Sequence, residues 1–267
     1  MNEFIFKPRN IYYRINDFKP DRKTIVFVHG LSGSSSAWFL YENDLKSTFN
    51  ILSFDLRGHG KSEKPHLYED YKIDDFADDL FELTEYLKIQ NFILIGHSLG
   101  SLIVLAFLKK HQDKVAKTIF LAPNFSVKKM LGARIVNPFV SAGVSLFKRI
   151  PFSGGKGKHI DYSHYPNSGD WNIPRMIADI SNTTLRVYLY ATKQTYAFDG
   201  ENFLAKISTP TLIIHGKKDT IFPVRYGALM ASKIPGAELV LLEDADHILV
   251  LNKHEEIMRE ILNFINK

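Results

Sequence analysis

The stretch Asn91-Phe92-Ile93-Leu94-Ile95-Gly96-His97-Ser98-Leu99-Gly100 decides how this chain is read. Its first five residues form a short apolar run, rich in branched and aromatic side chains. Such a run reads as a strand buried on both faces of a parallel sheet. Its far end opens a mostly apolar helix predicted over 98–110. Between the two, Gly96-x-Ser98-x-Gly100 sets a serine on a strand-to-helix turn. A turn that tight strains the serine backbone and thrusts the hydroxyl outward. The residues two positions away must be small, because side chains there would collide across the turn. The helix points the positive end of its dipole at the hydroxyl. The bland alternative is a glycine-flanked turn whose serine merely caps the helix. The strand before it and the helix after it weigh against that, and Ser98 is the candidate nucleophile.

Working outward, further runs at 24–28, 50–54, 116–121, 211–215 and 238–242 read as strands. Helical patterns alternate with them. In 74–87, Ile73, Phe76, Leu80, Leu83 and Leu87 recur every three or four residues, with Asp74, Asp75, Asp78 and Asp79 on or near the other side. Helices are also predicted over 224–233, behind Pro223, and over 247–266. The alternation means an α/β fold, a parallel sheet with helices on both faces. Residues 3–6 and 10–15 read as an antiparallel hairpin at the sheet edge.

The alternation stops between Pro123 and Pro210. The expected organisation is therefore a core of 1–123 and 206–267, with 124–205 inserted as a cap over the carboxyl ends of the strands. Charge marks the same segment. It holds ten Lys/Arg against five acids and so carries the whole net excess of +5.

A serine hydroxyl needs a base, and histidine suits neutral pH. Of the ten histidines, His29, His59 and His97 lie in glycine-bearing loops and read as structural, while His66, His111 and His254 read as exposed. His247 differs: it follows the last strand, at the same sheet edge as Ser98, and is expected to begin the last helix. The acid that holds the imidazole should also lie at that edge. Asp219, directly after the strand 211–215, fits. Asp244 and Asp246 share the loop of His247 and fit less well, and Asp199 precedes the strand. The chain order is then Ser98, Asp219, His247. One oxyanion donor is the N–H after the nucleophile, that of Leu99.

These motifs resemble the α/β-hydrolase superfamily over nearly the whole length, and the chain is similar to its esterase, lipase and monoacylglycerol-lipase branch. The resemblance is carried by His29-Gly30-Leu31, by Asp55-Leu56-Arg57-Gly58-His59-Gly60-Lys61-Ser62, by Gly96 to Gly100, by Gly216-Lys217-Lys218-Asp219 and by Asp246-His247. It implies an α/β-hydrolase fold with a helical cap, a second oxyanion donor at the N–H of Leu31, and a serine carboxylic ester hydrolase working through an acyl-enzyme. Three other readings stay open: an aminopeptidase or amidase of the same fold, a slow-turnover small-molecule receptor, and a perhydrolase or C–C bond hydrolase. The positive cap weighs against the aminopeptidase, as does Leu99, where proline iminopeptidases commonly carry Trp. Serine at the nucleophile position weighs against dehalogenases and epoxide hydrolases, which carry Asp.

Within the cap, 133–147 is apolar with basic flanks and reads as lining for an acyl or aromatic pocket. Pro138 and Gly143 are expected to break it as one regular helix, which leaves contact with a membrane as the lesser reading. His159 and His164 lack further ligands for a metal shell. No cysteine is present, which excludes disulfides and thiolate chemistry. The expectations are a small-molecule ester substrate, no metal or cofactor, no nucleic acid, and a monomer or homodimer. No apolar run reaches the ~20 residues of a membrane span, and the N-terminus lacks a signal-like apolar region, so the expected location is the cytoplasm.

Overall fold

A computed structural model describes residues Met1–Lys267 apart from Ser153, Lys156 and the side chain of Lys129. Part of the Gly/Lys-rich piece 153–158 thus lies outside the described residues. Eight strands form one sheet: β1 (Asn2–Phe6), β2 (Ile11–Ile15), β3 (Thr24–Val28), β4 (Asn50–Phe54), β5 (Phe92–His97), β6 (Val115–Leu121), β7 (Thr211–Gly216) and β8 (Glu238–Leu242). Their order is β1-β2-β4-β3-β5-β6-β7-β8. The first two strands are the expected antiparallel hairpin at one edge, and β3 to β8 run parallel. The helices are α1 (Phe39–Leu45), α2 (Ile73–Tyr86), α3 (Leu99–His111), α4 (Leu131–Phe147), α5 (Ile173–Thr183), α6 (Leu185–Ala197), α7 (Glu201–Leu204), α8 (Arg225–Lys233), α9 (Leu249–Asn252) and α10 (His254–Ile265). Among the described residues, no helix is long and apolar enough to cross a membrane.

Burial on both faces explains why the central strands are apolar without a break. Along β3, Val26 and Val28 join the core that holds α2 and α3, while Ile25 and Phe27 join the one under α1 and α10. Successive side chains point to opposite faces, so β3 to β7 each feed both cores. The segment between β6 and β7 contains α4 to α7, and Val140, Val144, Val187 and Tyr190 extend the first core outward.

Three local expectations fail. The predicted helix 247–266 is two helices, α9 and α10, broken at Lys253 (φ −127°, ψ 37°), and His247 stands in the turn ahead of them. Pro138 and Gly143 do not break α4, which is continuous. Packing on α6 overrides propensity there. Val140 and Val144 are buried, and Lys193 donates to the Asn137 side-chain Oδ1 and the Ser141 hydroxyl at 2.6 and 2.8 Å. A Cβ on Gly143 would lie 2.8 Å from Leu189 Cδ1, so glycine permits the approach. Third, Asp79 is not on the outer side of α2; it is buried and takes Arg57 Nε and Nη2 at 2.6 Å each. Nor are two of the outlying histidines free: His111 stacks on Phe81 at 3.9 Å, and His254 packs edge-on against Tyr41 at 4.7 Å.

Candidate active site

At the end of β5 the backbone of Ser98 takes φ 53°, ψ −115°. A positive φ strains any residue with a Cβ. Close packing fixes the turn: a Cβ on Gly100 would lie 2.4 Å from the Val28 carbonyl oxygen, and one on Gly96 would lie 2.7 Å from that of Gly100. The serine N–H donates to the Leu121 carbonyl at 3.1 Å, tying the turn to β6.

The loops after β7 and β8 abut each other and this turn. Lys217 and Lys218 donate backbone N–H groups to Leu242 and Ala245 at 2.9 Å each. His247 Nε2 and Ser98 Oγ are 2.8 Å apart, and His247 Nδ1 is 2.8 Å from Asp219 Oδ2. Ser98, Asp219 and His247 are thus brought into one hydrogen-bonded line, and all three are buried. The competing acids are engaged elsewhere. Asp244 pairs with Lys218, Asp199 with Lys128, and Asp246 accepts the Ile248 N–H.

Asp219 is heavily held. Its Oδ1 accepts the N–H groups of Ile221 and Phe222 at 2.9 and 2.7 Å, and Oδ2 also takes His215 Nε2 at 3.1 Å. Burial pushes its carboxyl up, but the bonds from His215, His247 and Phe222 outweigh that and hold it well below the ordinary carboxylate value. The same His215 Nε2–H reaches the Phe222 carbonyl at 2.7 Å, so the proton sits on that nitrogen.

His29, His59 and His97 are all neutral and structural. Burial drives the first to about 4 and the other two to about 3. His29 donates from Nδ1 to the Gly30 carbonyl at 2.8 Å and accepts the Leu56 N–H at 3.0 Å, which shapes the loop carrying Leu31. His97 donates to the His247 carbonyl at 2.9 Å.

Several residues escaped the sequence. Asp170, in the segment between β6 and β7, accepts the His247 N–H at 2.7 Å on Oδ1, and the Thr220 N–H and hydroxyl at 2.9 and 2.6 Å on Oδ2. One carboxylate therefore bridges the loops of the acid and the base. Its partners lie 50 and 77 positions away, so no spacing betrays it. His159 is not spare either: it bonds the buried Asp55 carboxylate at 2.8 Å and links the segment between β6 and β7 to the loop after β4. His215 could have been found, because it stands near the end of β7, four residues before Asp219.

A cavity of about 600 Å³ opens on Ser98 and His247. Leu31 and Leu99 border it on the core side, and Val136, Met176, Ile180 and Tyr188 from α4 to α6 line it opposite. Its charged groups Arg175 and Asp179 pair with each other at 2.8 Å, and Tyr162 donates to the same carboxylate at 3.0 Å. Burial outweighs both partners and raises Asp179 to about 6.

The family model described as alpha/beta hydrolase fold matches residues 23–254. A proline iminopeptidase of Saccharolobus solfataricus is 26% identical, over 97% of this chain and 89% of its own. A bifunctional esterase/perhydrolase of Acinetobacter calcoaceticus is 27% identical, over 96% of each. Among solved structures, the enol-lactonase from Burkholderia xenovorans LB400 superposes with a TM-score of 0.76 at 23% identity, over 100% of both chains. That likeness is one of fold.

Proposed function

The chain belongs to the alpha/beta hydrolase fold family, and within it we propose that this protein is a serine hydrolase of carboxylic esters. The carrying observation is the line Ser98–His247–Asp219, at 2.8 Å in each step, opening on a mostly apolar cavity. Hydrolytic chemistry is supported by the names of both curated relatives.

His247 takes the Ser98 proton as the oxygen attacks the ester carbonyl, and Asp219 steadies the imidazolium. The oxyanion is held by the N–H groups of Leu31 and Leu99, each worth ~3–4 kcal/mol. His247 then protonates the departing alcohol, and water repeats the attack to free the acid. The inserted segment 124–205 acts as a cap that shapes the acyl pocket.

An ester is favoured over an amino-acyl substrate because an ammonium group needs an available carboxylate. Asp170 and Asp179, the acids bordering the cavity, are both committed to donors within the protein. Incubation with p-nitrophenyl esters of increasing chain length should release p-nitrophenol, and a fluorophosphonate should phosphonylate Ser98 with loss of fluoride. Ser98→Ala should lose both. Undiminished ester cleavage by that variant sinks the assignment, and cleavage of amino-acyl anilides in preference to esters transfers it to the iminopeptidase reading. Tight ligand binding with turnover far below ~1 s⁻¹ on every ester would make it a receptor.

A further inference from the structure

We propose that the outer face of α4, together with the exposed apolar residues of the neighbouring α5 segment, docks on an anionic lipid surface and presents the cavity mouth to it. A helix on a globular protein normally turns polar residues to solvent. The outward stripe of α4 is apolar instead. Leu131, Ile135, Phe139, Ala142 and Leu146 follow one another at steps of three or four, so they stack along one face. All are exposed, Leu131 at 72% and Phe139 at 76%. The opposite face, with Val140 and Val144, packs inward, so the continuity of α4 across Pro138 is what assembles the stripe. In the α5 segment, which shares the cavity lining with α4, Trp171, Ile173 and Ile177 are 60 to 67% exposed. Leu131, Val136 and Trp171 are exposed and also line the cavity, so the patch borders the entrance. An apolar surface continuous with a binding cavity marks a site of interaction.

Charge selects the occupant. Residues 114–160 contain no Asp or Glu. Exposed Arg134 and Arg149, near the two ends of α4, have no carboxylate partner among the described residues. An apolar stripe flanked by these two arginines, with Lys128 and Lys148 beyond its ends paired to Asp199 and Glu69, complements the boundary between anionic headgroups and acyl chains. A second copy of this chain would set these cations against their own kind. The inference deepens the ester-hydrolase reading by pointing to substrates dissolved in lipid, but docking itself needs no chemistry at Ser98.

The test is flotation of the full chain with vesicles. It should rise with equimolar phosphatidylcholine and phosphatidylglycerol, stay down with phosphatidylcholine alone, and be largely released at ~0.5 M salt. The double variant Ile135→Gln, Phe139→Gln should lose at least about tenfold in bound fraction, while keeping the parent's melting curve and its rate on a soluble short ester. Ser98→Ala should float like the parent. A chain that stays down with the anionic vesicles, or a double variant that floats as well as the parent, overturns the proposal. So does a dimer on size exclusion that the double variant dissolves, because the stripe would then belong to a second copy. Flotation without ester cleavage would leave docking intact and remove only the hydrolytic reading.

Discussion

At the scale of single residues, the site combines strain with over-determination. Ser98 holds a positive φ that costs ~1–3 kcal/mol, and the packing of Gly96 and Gly100 keeps it there. Ser98→Gly should therefore be more stable than Ser98→Ala by about 1 kcal/mol in urea titrations, with both inactive on esters. Equal midpoints would mean that the turn is not strained. Asp170 makes the opposite case, a residue far in sequence that holds two loops at once. Asp170→Asn would turn an amide N–H₂ toward groups that donate. Its expected effect is a fall in kcat of about ten- to a hundredfold, equivalent to ~1–3 kcal/mol, with KM little changed. Steady-state kinetics on one ester decides, and an unaltered kcat would show that Asp170 only fastens the segment between β6 and β7. Ser98, Asp219 and His247 were legible because each follows a strand at the same sheet edge. Asp170 was not, because nothing local distinguishes an acid that binds backbone N–H groups from a solvated one.

At the scale of elements, the strands were readable to within two residues because burial on both faces writes a continuous apolar run. Helix α4 was misjudged for the reverse reason. Its stability resides in contacts with α6, 40 to 60 residues further on, which local propensity does not record. Two glycines make the contrast measurable. Gly100→Ala drives a Cβ to 2.4 Å from a backbone oxygen, where nothing can yield, and should cost more than ~3 kcal/mol or prevent folding. Gly143→Ala meets only the tip of the Leu189 side chain and gains helix propensity, so thermal unfolding should be unchanged or raised by up to about 1 kcal/mol. A marked loss at Gly143 would show that α4 and α6 are packed more rigidly than the Leu189 contact implies.

At the scale of the molecule, burying neutral histidines has a cost in acid. In the unfolded chain His29, His59 and His97 bind protons near 6.5; folded, they do so only at about 4, 3 and 3. As pH falls the unfolded state takes up protons first, so this stability is full above pH 6.5 and drains away toward those lower values. Each ring should forfeit on the order of 2 kcal/mol between pH 7 and pH 5. Urea midpoints should drop steeply across that interval, and midpoints that hold steady would contradict it. Asp55, held at about 2, adds its own loss only below pH 4. The Asp170 bridge has a consequence for recombination between relatives. The ends of the segment between β6 and β7 suggest a part that could be exchanged to change substrate. The hydrogen bonds cross those boundaries, however, and end on the backbone of His247 and Thr220. A chimaera would inherit a working base only if the donor segment brought a carboxylate to the same place, so the exchangeable unit is the segment together with the two loops it grips.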